Sequence, residues 1–312
     1  MTRMQTLRFL MACALILAGM TTPLAANPIM PGADPHVVAL EGKFWLYPTR
    51  RKGGENFYAY ESSNLKDWKE HGPVLNFSGI EWIKADGRKS HGPWAPCLAV
   101  RNGKFYFYFS VGPQTPEHPS RIGVAVADSP TGPFVDSGRA LVTGGDGFEA
   151  IDPMVFEDPA SGLFYLYAGG IAGATLRIYE LKEDMMGLAR EVPTQTPEKF
   201  TEGAFMHHHG GLYHLTYSHG NFRDASYSVH YSTAARPYGP WVYRGVLLQS
   251  DERHKGPGHH SIFTDADGVW HIAYHRWNNR EGSGPYHGPR VIALDKLTYD
   301  NDGLLLPVTM TD

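Results

Sequence analysis

The chain has 312 residues, and its 28 Lys and Arg residues against 32 Asp and Glu residues give a net charge of −4. A slightly acidic chain without a local run of basic residues offers no field for neutralising phosphates, which excludes nucleic acid as a partner and favours an uncharged one. With 35 Gly, 23 Pro and 12% aromatic residues, the composition predicts many short strands and turns and excludes a coiled coil or helical bundle.

The amino-terminal segment has the three parts of a secretory signal peptide, predicted over residues 1–26. Arg3 and Arg8 precede an apolar run over residues 9–20, and residues 24–26 read Leu-Ala-Ala. The run is shorter than the roughly 20 residues that span a bilayer. We therefore expect cleavage of the signal, export to the periplasm or the medium, and no retained membrane anchor.

The two cysteines constrain how the exported chain is stabilised. Residues 10–13 resemble a bacterial lipoprotein box, but almost no hydrophobic region precedes Cys13, so lipidation is the minor alternative. Because Cys13 leaves with the signal, Cys97 is the single cysteine of the mature chain and no intrachain disulfide can form. A mature chain of about 286 residues is long enough to rely on core burial instead.

One unit recurs five times along the mature chain: a polar or acidic residue, a short apolar run, a Gly-centred turn and an aromatic-rich strand. The turn glycines, about 50 to 60 residues apart, are Gly42, Gly103, Gly162, Gly211 and Gly268. Between the copies lies a second pair of strands that ends in a Gly-Pro-Phe or Gly-Pro-Trp corner. Each unit therefore supplies about four strands.

Four-stranded units repeated at about 40 to 60 residues indicate a β-propeller, in which each blade packs its faces against its neighbours. The repeat predicts an all-β fold, a five-bladed β-propeller that occupies residues 27–312 as a single catalytic domain. Residues 290–312 are predicted to form the outer strands of the fifth blade. An irregular β-sandwich is the alternative, but it would not give five similar units at near-even spacing.

Three carboxylates stand near the starts of these units: Asp34, Asp152 and Glu202. Because the first strand of each blade lines the central channel, the three side chains are expected to converge around the axis. Mutual repulsion and burial would raise the pKa of at least one of them and keep it protonated near neutral pH. A protonated acid beside an ionised carboxylate suits glycoside hydrolysis, in which one protonates the leaving oxygen and the other activates water or attacks the sugar.

Around these residues the sequence resembles glycoside hydrolase family 43, the five-bladed propeller enzymes that remove arabinose, xylose or related sugars from plant polysaccharides. The matching segments are residues 27–35, residues 150–153 and residues 201–205. The resemblance implies that Asp34 is the general base, that Asp152 orients the acid and tunes its pKa, and that Glu202 is the general acid. It also implies inversion at the anomeric carbon, with room for a water molecule between base and acid.

Three further segments are similar to the family's substrate site. Residues 256–261 match a Gly-His segment whose His reaches the channel axis, with His259 as the closer match and His260 as the register alternative. Arg290 resembles an Arg that reaches the sugar subsite, and Trp94 lies in the second-blade segment at the pocket edge. The family's axial His often contacts a water molecule or a calcium ion, so the resemblance implies no required cofactor but allows calcium on the axis.

Other histidines receive structural interpretations. In the run over residues 207–209, only His207 and His209 share a strand face, which favours a rim or core role over metal binding. His275 lies on an aromatic-rich strand and is interpreted as a packing residue. No metal site is predicted, because three converging ligands at a recognisable spacing are missing.

The sequence thus predicts a secreted inverting glycoside hydrolase that removes terminal pentose residues, with α-L-arabinofuranosyl as the expected sugar, from arabinose- or xylose-containing oligosaccharides or polysaccharides. A β-xylosidase, an endo-arabinanase and a galactan-acting enzyme of the same family are alternatives. A retaining fructan hydrolase is disfavoured because Ala33 and Ile151 precede the two Asp-Pro pairs where that class has Asn-Asp-Pro and Arg-Asp-Pro. A non-catalytic carbohydrate-binding propeller, whose carboxylates only bind sugar hydroxyls, is the alternative from another class.

Overall fold

A computed structural model describes residues 26–50 and 54–312. The predicted signal peptide lies outside the described residues except for its last position, Ala26. Within the described ranges the chain consists largely of β-strands joined by turns and loops. No helix in those ranges is long and apolar enough to span a bilayer.

Twenty-one strands are present in the described ranges. In chain order they are β1 (Met30–Pro31), β2 (Ala33–Leu40), β3 (Lys43–Thr49), β4 (Asn56–Ser62), β5 (Lys69–Asn76), β6 (Gly92–Arg101), β7 (Lys104–Gly112), β8 (Arg121–Ala127), β9 (Val135–Asp136), β10 (Val142–Thr143), β11 (Met154–Glu157), β12 (Phe164–Ala168), β13 (Arg177–Leu181), β14 (Leu188–Val192), β15 (Glu202–His209), β16 (Leu212–His219), β17 (Ser228–Ala234), β18 (Val242–Leu248), β19 (His254–Thr264), β20 (Trp270–Asn278) and β21 (Val291–Lys296). A 3₁₀ turn (Phe77–Gly79) and one helical turn, α1 (Glu81–Lys84), lie between β5 and β6.

These strands form five antiparallel sheets, which are the blades of a propeller. Blade 1 contains β2–β5, blade 2 contains β6–β10, blade 3 contains β11–β14 and blade 4 contains β15–β18, whereas blade 5 combines β19–β21 with β1. The innermost strands contact one another in a closed ring, since β2 contacts β6 and β19, β11 contacts β6 and β15, and β15 contacts β19. The predicted five-bladed β-propeller is confirmed.

A glycine with left-handed backbone makes the turn between the first and second strands of every blade. The φ angles range from +71° to +80° at Gly42, Gly103, Gly162, Gly211 and Gly268. At each of them no neighbouring atom lies within 4 Å of the place that a Cβ would take. The backbone conformation, and not lack of space, therefore favours glycine, and these are the turn glycines of the predicted repeat.

Hydrophobic residues fill the spaces between adjacent blades. One cluster joins blades 1 and 2, where the rings of Phe57 and Phe107 meet edge to face with centroids 5.2 Å apart. Other clusters join blades 2 and 3 and blades 5 and 1, and a large one extends over blades 3, 4 and 5. Because both sheet faces are covered, the second strand β12 is buried along its whole length, which explains the aromatic-rich strand of the repeat.

The ring closes through the amino-terminal strand. Strand β1 pairs with β21, with Met30 opposite Ile292, and completes blade 5 as its outermost strand. The prediction that residues 290–312 form the outer strands of this blade is therefore wrong in part, because that stretch supplies β21 and an isolated bridge between Tyr299 and Leu305. Using β1 at this position covers the edge of β21, which would otherwise present unpaired backbone groups.

Candidate active site

In every blade a residue at the corresponding place, within the innermost strand or, in blade 3, two positions before it, has left-handed backbone. The φ angles range from +39° to +61° at Asp34, Ala95, Asp152, Gly203 and His259. In blades 1, 2, 4 and 5 the pairing with the second strand shifts register at this point, which marks a bulge. Left-handed backbone at a non-glycine residue costs about 1 kcal/mol or more, and such strain concentrates at functional sites.

In three blades the backbone N–H of this left-handed residue donates to a hydroxyl group from the second strand of the preceding blade. Three hydroxyls accept such bonds: Thr49 Oγ1 from Ala95 N at 2.7 Å, Ser110 Oγ from Asp152 N at 2.9 Å, and Ser218 Oγ from His259 N at 2.8 Å. In blade 1 the corresponding second-strand residue is His275, whose Nδ1 lies 3.1 Å from Asp34 Oδ1 and 3.2 Å from Asp34 N. These left-handed residues are therefore held by the preceding blade.

Blade 4 departs from this pattern. The corresponding second-strand position in blade 3 is Gly169, which has no side chain and could not hold one, since a Cβ there would lie 2.2 Å from the carbonyl oxygen of Thr175. The N–H of Gly203 donates to Asp152 Oδ2 at 3.0 Å instead. As a result, the Asp152 carboxylate is held by the backbone immediately after Glu202.

All five blades contribute to a cavity of about 710 Å³ at this end of the axis. Six of the seven predicted site residues line it: Asp34, Trp94, Asp152, Glu202, His259 and Arg290. The seventh, His260, is not among the lining residues, because its ring turns away and its Nε2 contacts Thr216 Oγ1 at 2.6 Å. The geometry thus favours His259 over the register alternative.

Asp34 has three nitrogen neighbours at Oδ1. Arg290 Nη1 lies at 3.3 Å, His275 Nδ1 at 3.1 Å and His259 Nδ1 at 3.6 Å. Burial on its own would raise the pKa of this carboxyl, but the charges of Arg290 and His259 and the hydrogen bond from His275 outweigh it and hold the pKa well below its usual range. The carboxyl is ionised at neutral pH.

His275 orients this carboxylate as a neutral ring. Burial and the charge of Arg290 lower the pKa of His275 to about 3. Because the guanidinium can only donate and lies 3.2 Å from Nε2, the ring proton is on Nδ1 and points at Asp34 Oδ1. The packing interpretation of His275 missed this contact, which depends on the alignment of two blades and leaves no mark in the local sequence.

His259 bridges two carboxylates. Its Nδ1 lies 3.3 Å from Asp152 Oδ2 and 3.6 Å from Asp34 Oδ1. Burial would lower the pKa of this imidazole, but the charges of Asp152 and Asp34 raise it to about 9. A protonated imidazole therefore neutralises part of the negative charge in the pocket.

Glu202 is protonated where Asp34 is ionised. Burial and the charge of Asp152 raise the pKa of Glu202 well above its usual range, although a hydrogen bond from Tyr227 partly opposes the rise. The phenol of Tyr227 donates to Oε1 at 2.7 Å, which leaves Oε2 as the oxygen that carries the proton. Tyr227 is fully buried against the His275 ring, and sequence analysis did not identify it.

The pocket wall includes other residues that the sequence did not single out. Phe222 lies beneath the guanidinium of Arg290, with 5.1 Å from Cζ to the ring centroid. Arg50, Ile171 and Glu149 also line the cavity. Glu149 stands three positions before Asp152, so its spacing from the second Asp-Pro pair was the available signal.

The His207–His209 run lies between blades 4 and 5 rather than at the cavity. The phenol of Tyr299 contacts His207 Nε2 at 2.9 Å, and the His209 ring stacks on Tyr299 with centroids 3.7 Å apart. Neither histidine is among the lining residues of the cavity. This placement agrees with the rim or core interpretation.

The side chains on the axis do not fit a calcium cage. Calcium takes about six to eight oxygen ligands, whereas the cation between the Asp34 and Asp152 carboxylates is the protonated His259 ring. Among residues 26–50 and 54–312, no group of three or more His, Cys, Asp or Glu side chains is arranged to hold a metal ion.

The comparison with known families agrees with this geometry. Residues 25–305 match the model of Glycosyl hydrolases family 43. The chain belongs to this family. A family 43 chain is an O-glycoside hydrolase, so the predicted enzyme class is confirmed.

Relatives in family 43 act on several sugars. A protein of Aspergillus niger named beta-D-galactofuranosidase xynD is 34% identical over 92% of this chain and 86% of its own length. A xylosidase/arabinosidase of Bacteroides ovatus is 28% identical over 91% of this chain and 98% of its own. The solved structure of an alpha-L-arabinofuranosidase from Clostridium thermocellum is 30% identical, with a TM-score of 0.72 over 89% of this chain and 94% of that one.

Proposed function

We propose that this protein is an inverting exo-glycosidase that releases terminal α-L-arabinofuranosyl residues from arabinose- or xylose-containing oligosaccharides and polysaccharides. The observation that carries the proposal is one cavity that holds an ionised Asp34 and a protonated Glu202. General acid catalysis and activation of water need these two protonation states at the same pH.

In this mechanism Asp34 accepts a proton from a water molecule whose oxygen attacks the anomeric carbon. Glu202 gives its proton to the glycosidic oxygen as the bond between that oxygen and the anomeric carbon breaks. The attack from the opposite side inverts the configuration. Asp34 ends protonated and Glu202 ionised, and both exchange protons with solvent before the next cycle.

The surrounding groups keep the two carboxyls in these states. Arg290 and His275 hold the negative charge on Asp34 at the attacking position. Burial and the charge of Asp152 keep Glu202 protonated. The N–H of Gly203 fixes the orientation of the Asp152 carboxylate. Asp152 is thus a positioning residue in this mechanism, because it acts through the acid.

Residues from all five blades line the cavity, and we propose that it accepts the terminal sugar of a chain. The arabinofuranosidase and xylosidase/arabinosidase relatives support a pentose as the terminal sugar.

A second candidate substrate is a terminal β-D-galactofuranosyl residue. The Aspergillus niger relative named as a galactofuranosidase is 34% identical over most of this chain. Like arabinofuranose, galactofuranose is a five-membered ring, and the acid and base described above would act on it in the same way.

The test is hydrolysis of aryl α-L-arabinofuranoside, β-D-xyloside and β-D-galactofuranoside by the wild-type protein, with NMR detection of the anomer first released. We expect release from the arabinofuranoside with inversion, and loss of turnover by orders of magnitude in Asp34→Ala. Glu202→Ala should be partly spared on a substrate whose leaving group needs no protonation. Retention of configuration, or equal losses of Glu202→Ala on activated and unactivated substrates, would contradict the mechanism.

We infer that the chain is exported. The support is the pattern of Arg3, Arg8 and the apolar run over residues 9–20. Expression of the full chain with mass spectrometry of the amino terminus is expected to find a secreted form that begins at Asn27. Recovery of the full-length chain in the cytoplasm alone would contradict export.

A further inference from the structure

A fourth carboxyl lies in the wall of the catalytic cavity and has no place in the proposed acid and base chemistry. Glu149, in the loop between β10 and β11, lines the cavity and is only 5% exposed. Its pKa is raised by burial and by the charge of Asp152. Glu149 therefore belongs to the wall formed by blade 3, on the same side as Asp152.

A turn in the following hairpin holds this carboxyl in place. The N–H of Ala172 donates to Glu149 Oε2 at 2.8 Å. The turn approaches closely because Gly170 has no side chain: a Cβ there would lie 2.5 Å from the same oxygen. One carboxyl oxygen is thus fixed by backbone, and the orientation of the other oxygen follows from it.

The other oxygen, Oε1, is available to a ligand. Among the described residues the one hydrogen bond to the Glu149 carboxyl is that of Ala172 N–H to Oε2, and no cation forms an ion pair with Glu149. Oε1 is not among the fully buried oxygens, and Glu149 lines the cavity, so a ligand in the cavity can reach this oxygen. The hydroxyl groups of a sugar are donors that would bind it without adding charge.

We propose that Glu149 is a specificity-determining residue whose Oε1 accepts a hydrogen bond from a hydroxyl group of the terminal sugar. This inference rests on the proposed function, because it uses the same cavity. Glu149 does not move a proton in the reaction, since Asp34 and Glu202 supply the base and the acid and the Ala172 N–H ties Glu149 to the wall.

The experiment pairs a deletion in the protein with a deletion in the substrate. Wild type and Glu149→Ala are compared on the aryl glycoside that wild type hydrolyses best and on its series of monodeoxy derivatives. For wild type, kcat/KM should fall about 10- to 100-fold when the hydroxyl that meets Glu149 is removed, as for a hydrogen bond to a charged group. In Glu149→Ala, kcat/KM on the parent sugar should fall by a similar factor. Removing the same hydroxyl from the substrate should then lower kcat/KM of this variant almost no further.

Two variants serve as checks on this result. Glu157→Ala removes an exposed carboxylate of the same blade. This variant should discriminate between the parent glycoside and its monodeoxy derivatives as wild type does. Gly170→Ala leaves Glu149 in the chain but displaces its carboxyl, so it should reproduce the loss of discrimination. Equal discrimination by wild type and Glu149→Ala across the whole series would overturn the proposal, as would an effect confined to oligosaccharides, which would place the contact on the leaving sugar.

Binding separates this inference from the proposed function. Calorimetry with Glu202→Ala, alone and combined with Glu149→Ala, measures affinity for the parent and deoxy sugars without turnover. Hydrolysis failure in wild type would reject the exo-glycosidase proposal, whereas the binding data would still decide the role of Glu149. Loss of discrimination in the double variant is the expected result, and unchanged discrimination rejects the role.

Discussion

The two carboxyls of the proposed reaction differ because of their neighbours, although both are buried. Asp34 faces Arg290 and the protonated His259, which favour the ionised form. Glu202 faces Asp152 and no cation of comparable effect, which favours the neutral form. Each neighbour therefore shifts the pKa of its carboxyl in a definite direction. Substitutions of different neighbours should move the pH profile of activity in opposite directions.

Asp152→Asn should move the alkaline limb of the kcat/KM profile to lower pH. The Asp152 charge raises the pKa of Glu202, so its removal lets the acid lose its proton earlier, by about one pH unit or more. The amide oxygen of Asn can still accept from Gly203 N–H, which makes the variant close to isosteric. A pH–rate series on an unactivated substrate tests this, and an unmoved or higher alkaline limb would contradict the assigned role.

Tyr227→Phe should move the same limb to higher pH. The phenol donates to Glu202 and stabilises its ionised form, so its loss raises the pKa of the acid further, on the order of one pH unit or less. Because Tyr227 does not line the cavity, KM should change little. A shift in the same direction as Asp152→Asn would show that the two variants act by disturbing the fold.

Residues of the innermost strands could be predicted from sequence, and their partners could not. Asp34, Asp152 and Glu202 stand beside recurring Pro or Gly positions, so the repeat itself reveals them. His275 and Tyr227 come from β20 and from the loop before β17, and they reach Asp34 and Glu202 only because neighbouring blades pack in one register. The spacing of Glu149 from Asp152 places it near the site, but the orientation of its carboxyl depends on a close approach by Gly170 that this spacing does not reveal.

At the scale of the strand, the left-handed residues Asp34, Ala95, Asp152, Gly203 and His259 form one repeated device. The left-handed residue turns its N–H toward the preceding blade, where a hydroxyl from β3, β7 or β16 accepts it. The device fixes each axial side chain by two blades at once. Blade 3 lacks the hydroxyl at Gly169, and there the Asp152 carboxylate takes its place.

Ser110→Ala should destabilise the protein by about 1–3 kcal/mol, because it leaves the buried N–H of Asp152 without a partner. Activity should also fall, since the same bond positions Asp152. Equilibrium denaturation by urea measures the free energy of unfolding. Ser63→Ala, at an exposed position, is the matched control and should leave the free energy of unfolding unchanged. An equal loss in both variants would refute the role of the hydrogen bond between Asp152 N–H and Ser110 Oγ.

On the scale of the whole molecule, the spaces between blades hold imidazoles that are neutral in the fold. Burial is the first cause that lowers the pKa of His36 and His214 to about 4 and of His260 and His275 to about 3. In the unfolded chain an imidazole titrates near 6.5. Between pH 4 and 6.5 the unfolded state therefore binds more protons than the folded state.

The thermal midpoint should accordingly fall as pH decreases from about 6.5 to 4. His214→Phe should make this dependence shallower by about one proton, because it removes one buried imidazole from a ring stack between His207 and Tyr231. Scanning calorimetry at several pH values measures the slope. His287→Gln, at an exposed position, should keep the wild-type slope, and a His214→Phe slope equal to wild type would contradict this account.

The number of blades could be predicted from the sequence, but the closure of the ring could not. Five turn glycines with aromatic strands behind them mark the blades at near-even spacing. The partner of β21 is a two-residue strand, too short to show any alternation of apolar and polar residues. Nothing in its local pattern distinguishes Met30 and Pro31 from a loop.

The pairing of β1 with β21 joins residues about 260 positions apart, so the seam of the ring forms between the first strand and the last to be synthesised. A growing chain can assemble early blades but cannot complete the circle, and contacts between such distant segments form slowly. In the exported chain proposed above, this order of assembly would keep the precursor from reaching its closed native state before it has passed unfolded through a membrane.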